Sequence, residues 1–257
     1  GAYFFLFYIS HFQTAPSIIN RLNVYDPDGF EASYPSNKRL HGTGMASIII
    51  HGDLNNNNLP LVSKLLVRPV MRYYAFGEND GSENTPENLL LVDLIHRAVK
   101  EIVEGNARQQ AIAPTVKVIN ISLGDKYRVF DYSISPLAKL IDWLSEKYNV
   151  LFIISAGNAE DDIYRNTGEQ CFAYFVNNPL NLKNTSIKYL FDKNRFRKII
   201  SPAEAINALT VGAAHEDGEM TLELNHRINL FDEQELASPI SRMGLGFRKS
   251  IKHEILA

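Results

Sequence analysis

Val116-Lys117-Val118-Ile119-Asn120-Ile121-Ser122-Leu123-Gly124 is largely apolar on both faces of an extended chain. A strand with one face in water alternates polar and apolar residues; a strand buried on both faces, as in a parallel sheet, does not. Val150-Leu151-Phe152-Ile153-Ile154 repeats the pattern and ends in Ser155-Ala156-Gly157-Asn158, which is turn chemistry. Between these runs Ser135-Pro136 is a helix start, with proline at the first helical position. Leu137, Leu140, Ile141 and Leu144 come next as a buried stripe, with Trp143 alongside. Strand, helix and strand in this order predict an α/β fold: a doubly wound, mostly parallel sheet with helices on both faces and right-handed crossovers.

The flanking sequence extends the pattern. Ala2 to Ile9 reads as a central strand, Val67 to Tyr73 as a further one, and Ala208-Leu209-Thr210-Val211-Gly212-Ala213 as another. Asp26-Pro27-Asp28-Gly29 signals a turn. Thr85-Pro86 predicts a helix start, with Leu91, Leu94, Ile95, Ala98 and Ile102 on one face and Gly105 as the stop. His96 lies inside that helix without a ligand set around it and reads as structural. Asn55 to Asn58, Glu223 to Glu235 and Ser238 to Gly246 read as loops. Residues 1–257 read as a single domain, with an irregular insertion at about 161–200 that holds a helix near Ile187 to Ile200.

Bulk properties narrow the function. Hydrophobic residues make up 45%, charged residues 21% and the net charge is -3, which gives neither nucleic acid nor an anionic membrane a reason to bind. The single cysteine, Cys171, excludes an internal disulfide and a thiolate zinc cluster. No apolar run is long enough to span a bilayer. The apolar start lacks a basic leader and a cleavage site, which favours the cytoplasm. The chain starts without Met and reads as a fragment.

Chemistry concentrates in His41-Gly42-Thr43-Gly44-Met45-Ala46-Ser47-Ile48-Ile49-Ile50-His51-Gly52. It reads as a helix with histidine in its first turn and Met45, Ile48 and Ile49 as its apolar face. Gly42, Gly44, Ala46 and Ser47 would let the backbone approach its neighbours closely. Helix N-termini disfavour cations, and a general base has to be the neutral imidazole, so His41 is the candidate base.

His-Gly-Thr at 41–43, Asn-x-Ser-Leu-Gly at 120–124 and Ser-Ala-Gly-Asn at 155–158, in that order, resemble the subtilisin-like serine peptidases, the subtilases. Ala208 to Ala213, Ser238 to Arg242 and Lys252 to Ala257 are similar to the family's later segments. The resemblance implies a three-layer subtilisin-like domain and peptide-bond hydrolysis by an Asp-His-Ser triad. His41 would be the base, and Asn158 would donate its side-chain amide to the oxyanion. Ser122, Leu123 and Gly124, as an open strand edge, and Ser155, Ala156 and Gly157 would flank the backbone of a peptide or protein substrate. No cofactor is expected; calcium enters only through the family, as does a partner ATPase, suggested by His-Gly-Asp-Leu at 51–54.

Two departures stand out. The nucleophile motif Gly-Thr-Ser-x-Ala is missing, as expected if the serine lies beyond Ala257. The family's aspartate belongs at the end of the first strand, where Phe7-Tyr8-Ile9-Ser10 stands with Tyr8 about in its place. Asp26 and Asp28 lie in a turn too near His41 to replace it. A catalytically dead, peptide-binding module on the same fold is therefore the alternative. A dinucleotide-binding domain is a third reading, from Gly42-x-Gly44-x-x-Ser47. The fingerprint must follow a strand, and Asn37-Lys38-Arg39 precedes it here.

Overall fold

Phe4-Phe5-Leu6-Phe7-Tyr8 has no polar face, and in the computed structural model it forms a strand with neighbours on both sides. The structure describes residues 4–8, 18–35, 38, 40–54, 59–74, 82–159, 172–215, 228–231, 236–252 and 254–257. Asn55 to Asn58, Cys171, the first part of the insertion and most of 223–235 lie outside the described residues. The elements run β1 (Phe4–Tyr8), β2 (Leu22–Val24), α1 (Leu40–His51), β3 (Leu65–Pro69), β4 (Arg72–Tyr74), β5 (Ser82–Asn84) and α2 (Leu91–Val103). They continue with β6 (Gly105–Asn106), β7 (Gln109–Gln110), β8 (Val118–Ile121), β9 (Asp125–Val129), α3 (Pro136–Tyr148) and β10 (Leu151–Ser155). Last come α4 (Phe172–Val176), α5 (Pro179–Asp192), β11 (Ile200–Ser201), β12 (Ala208–Gly212) and β13 (Ile255–Leu256).

The chain divides into two compact units. The first comprises Gly1–Leu123, Ile134–Ile154 and Ala205–Leu209. Its strands run in the order β10-β8-β1-β3-β2, all parallel, as the apolar runs predict. The chain leaves β1 toward β2 and later returns to β8 on the opposite side. The switch point of the sheet therefore lies between β1 and β8, the place where open α/β sheets bind ligands at their carboxyl edge. Ile119, Ile121, Phe152 and Ile154 are fully buried in this sheet. Helix α3 begins as the sequence predicts, with the Ser135 hydroxyl accepting from the Ala138 N–H at 3.1 Å, and ends on Asn149 in the left-handed region. His96 meets the Trp143 ring edge-on at 5.6 Å between centroids, a packing role.

The second unit comprises Gly124–Ser133, Ser155–Glu204 and Thr210–Ala257. In it β9 pairs antiparallel with β11, and Val211 and Gly212 of β12 pair in parallel with β13. Among the described residues no helix is long and apolar enough to cross a membrane, and no group of three or more His, Cys, Asp or Glu could hold a metal ion.

Four expectations need correction. Val67 to Tyr73 is not one strand: β3 stops at Pro69, and Arg72 to Tyr74 turns into a hairpin with β5. Proline has no N–H to continue the ladder. Thr85-Pro86 closes only a turn, with the Leu89 N–H donating to the Pro86 carbonyl at 2.9 Å. Helix α2 starts at Leu91, because Leu90 is 75% exposed and Leu94 is the first fully buried anchor. The insertion helix is α5, starting on Pro179 rather than near Ile187. In α1 the buried residues are Gly42, Ala46 and Ile50, the last two packed with Ile18, Tyr34, Leu65, Val67 and Tyr73; Met45 and Ile49 are half-buried, and Ile48 is 61% exposed. Gly44 is exposed and faces open space, so it permits no close approach.

Two of these environments set stability in a measurable way. Gly44→Ala should stabilise the protein by about 0.5–1 kcal/mol, because an exposed helix-interior glycine has no steric reason to be there; an unchanged or lower midpoint in urea would contradict this. In the β4–β5 hairpin, burial pushes the Glu83 carboxyl up to about 7 from 4.5. The folded state therefore binds this proton more tightly than the unfolded chain, and stability is lost as pH rises from about 4.5 to 7. Thermal unfolding of Glu83→Gln should match wild type at pH ~4 and exceed it at pH ~8.

Candidate functional site

In the first unit β10, β8, β1, β3 and β2 run parallel, and the chain that leaves the carboxyl edge of that sheet at β2 leads to α1. His41 is the second residue of α1 and is exposed. Ser122 and Leu123 leave the end of β8 at that same edge; Leu123 is buried, and the Ser122 hydroxyl accepts from the Asn120 amide at 2.6 Å. Ser122, Leu123 and Gly124 lie outside any strand. The edge continues at once into β9, which pairs with β11.

The two acids of the turn at 26–29 are engaged elsewhere. The Asp26 carboxylate accepts from the Phe30 N–H at 3.1 Å and the Glu31 N–H at 2.8 Å. Asp28 holds the fully buried Arg68 at 2.5 Å and Arg97 at 3.1 Å. Tyr25 lies against this cluster, its ring 5.4 Å from the Arg68 guanidinium. Burial, and after it the charge of Glu101, raises the Tyr25 phenol above its ordinary value.

The second unit gathers the other candidates. Beyond β10 the Gly157 N–H donates to the Ser155 hydroxyl at 3.1 Å, closing a tight turn with Gly157 at φ +96°. The Ala156 N–H donates to the Val211 carbonyl at 2.8 Å, and its own carbonyl accepts from the Ile200 N–H at 3.3 Å. Gly124 and Gly157 both abut the Ile200 side chain. A Cβ at Gly124 would stand 2.7 Å from Ile200 Cδ1, and one at Gly157 would stand 2.5 Å from Ile200 Cγ1. The two glycine segments, far apart in sequence, thus share one buried apolar side chain.

Asn158 comes next, exposed, in an antiparallel bridge with Ser241. Its side-chain amide has no hydrogen-bond partner among the described residues, but its backbone is held throughout. Arg242 donates from its backbone N–H to the Gly157 carbonyl at 3.0 Å and from Nε to the Asn158 carbonyl at 2.9 Å. The Ala159 N–H donates to the Ile240 carbonyl at 2.8 Å. The structure therefore brings Gly124 together with Ser155, Ala156, Gly157 and Asn158 in the second unit, while His41, Ser122 and Leu123 belong to the first. Sequence reading missed Ile200 and Arg242. The only trace of the first is a doubled isoleucine before Ser201-Pro202; the second closes the family-like segment Ser238 to Arg242, a likeness that gives the arginine no role.

The family model described as the subtilase family of S8 peptidases matches residues 9–257. No curated protein sequence matches the chain. Among solved structures, the prenylagaramide maturation protease PagA is similar at 19% identity with a TM-score of 0.43, covering 82% of this chain and 53% of that one. A mutant protease domain of PatA is similar at 18% identity and TM-score 0.44, covering 82% of this chain and 57% of its own. MycP1 with its N-terminal propeptide removed is similar at 16% identity and TM-score 0.43, covering 95% and 61%. The chain spans between 53% and 61% of the length of these structures.

The shared contact on Ile200 separates two kinds of glycine. Gly124→Ala should cost about 1–3 kcal/mol through overpacking, and most of that cost should vanish in an Ile200→Ala background. Gly157→Ala should keep about 1 kcal/mol of cost in that background, because positive φ strains any L side chain whatever the space. Denaturant unfolding of the four variants measures both couplings, and equal rescue at the two positions would contradict this assignment.

Proposed function

Because the chain belongs to the subtilase family, we propose that it supplies the base and the oxyanion donor of a serine-type endopeptidase domain. His41 takes the proton from a serine nucleophile furnished by residues after Ala257, and hands it to the leaving amine. Asn158 donates its side-chain N–H to the oxygen of the tetrahedral intermediate. Ser122-Leu123-Gly124 and Ser155-Ala156-Gly157 lie along the substrate backbone. The observation that supports this most is at Asn158: an exposed amide without a partner among the described residues, on a backbone fixed by hydrogen bonds at Gly157, Asn158 and Ala159. A side chain needed only for a turn would bond its own backbone; this one points its donors at nothing within the described protein.

A second reading has its own support. The sequence Tyr8-Ile9-Ser10 puts no carboxylate where the family's aspartate belongs, and Asp26 and Asp28 have other partners. On that reading the fold binds peptides without cleaving them.

The test is activity of the complete gene product, with the residues after Ala257 included. A fluorophosphonate should label it, and it should cleave a casein-type substrate. Asn158→Ala should lower kcat about a hundred- to a thousandfold with KM little changed; that magnitude comes from a subtilisin and is therefore not independent of the family. His41→Ala should cost at least as much. A complete protein that takes no label and cleaves nothing, yet binds unfolded casein, would replace peptidase with peptide-binding module.

A further inference from the structure

We propose that Arg242 is a positioning residue for the Asn158 amide, acting by clamping the peptide groups on both sides of the Asn158 Cα. The inference rests on the reading of Asn158 as oxyanion donor.

Arg242 is only 9% exposed, and its guanidinium meets carbonyl oxygens. Nε donates to Asn158 at 2.9 Å, and Nη1 donates to Phe196 at 3.3 Å and to Lys198 at 3.2 Å. A buried guanidinium needs its donors satisfied, and here converging dipoles do it rather than a carboxylate. Its backbone N–H holds the Gly157 carbonyl, and its side chain passes close over Gly157, where a Cβ would come within 3.1 Å of Arg242 Cδ.

The geometric consequence is specific. The peptide plane before Asn158 is fixed through the Gly157 carbonyl. The plane after it is fixed through the Asn158 carbonyl and the Ala159 N–H. With both planes fixed, the Cα–Cβ direction of Asn158 is fixed, and only its side-chain torsions remain. The far side of the clamp is anchored too, because the Met243 N–H donates to the Arg197 carbonyl at 2.9 Å, and Arg197 Nη2 donates to the Pro239 carbonyl. Arg242 thereby ties the Asn158 turn to the segment that ends the insertion. A lysine reaches one carbonyl as a point donor and cannot span three as a planar fork.

The test is a kinetic cycle in the complete protein with Arg242→Lys, Asn158→Ala and the double variant. Arg242→Lys should lower kcat about ten- to a hundredfold, the cost of a misplaced group, with KM changed less than about twofold. In the Asn158→Ala background the same substitution should change kcat by less than about twofold, because no amide remains to be placed. Equal losses in both backgrounds, parallel changes in kcat and KM, or no loss at all while Asn158→Ala is impaired would overturn the positioning role. An Asn158→Ala protein with normal kcat would instead overturn the oxyanion reading. If Arg242→Lys loses its near-UV circular dichroism, Arg242→Gln, which keeps a planar donor, replaces it with the same expectations. Loss of fold in both variants would make Arg242 structural and end the proposal.

Discussion

Parallel pairing of β8 with β1 on one side and β10 on the other places Ile121 opposite both Phe7 and Ile154. Three strands therefore finish at one level, and the backbone leaves β8 and β10 in different ways. Beyond Ile121 it runs through Ser122-Leu123-Gly124; beyond Ser155 it turns through Ala156-Gly157-Asn158. The second exit uses small residues, and Gly157 takes a φ of +96° that other residues avoid. The driving force is burial of one face of the sheet: Ile119, Ile121, Phe152 and Ile154, alternate residues on two strands in register, are all at 0% exposure, while Val118, Asn120 and Ile153 between them are half-buried. Each such side chain is worth about 1.5–3 kcal/mol when fully removed from water.

Two buried guanidiniums show how differently a fold can keep a cation out of water. Arg68, fully buried in β3, faces Asp28 and, at 3.9 Å, Asp26, so its charge is neutralised locally. Such a pair contributes little net stability, but removing one member costs about 3–5 kcal/mol by stranding the other. Arg242 meets peptide carbonyls instead. Dipoles satisfy its donors without cancelling its charge, so the environment of Asn158 keeps a positive bias. On the proposed reading, that bias favours the negative charge that develops on a substrate oxygen.

The sheet was legible in the sequence because its strands are largely apolar runs, as at Val118 to Ile121 and Leu151 to Ser155, although only alternate residues are buried and Leu151 is 43% exposed. Helix α3 was legible at its start, since Ser135 and Pro136 carry local chemistry that needs no tertiary partner; its end on Asn149 was not read. Where tertiary packing decides, sequence misled. Thr85-Pro86 has good capping chemistry, yet the helix waits for Leu94 because a turn with Leu90 in water gains nothing from burial. In α1 every third or fourth residue is apolar, so the pattern allowed several faces, and the sheet chose Ala46 and Ile50 over Ile48. The roles of Ile200 and Arg242 arise from contacts with residues 43 and 84 positions away, and local pattern holds no record of them.

The loop after β2 could have been thought to lend His41 the acid that β1 lacks, and its bonding argues otherwise. Asp26 caps two backbone N–H groups, and Asp28 is shared by two arginines, one without solvent exposure. Turning either carboxylate toward the imidazole would leave buried donors unpaired, at about 1–3 kcal/mol for an N–H and more for Arg68. Neither carboxylate is therefore free to turn without cost, and the sequence Tyr8-Ile9-Ser10 offers a phenol, an aliphatic chain and a hydroxyl. A hydroxyl oxygen can accept the imidazole N–H and hold its direction. It cannot stabilise the imidazolium by charge, and losing the carboxylate costs a triad about four orders of magnitude in kcat. Peptide binding, the second reading, requires no acid at all.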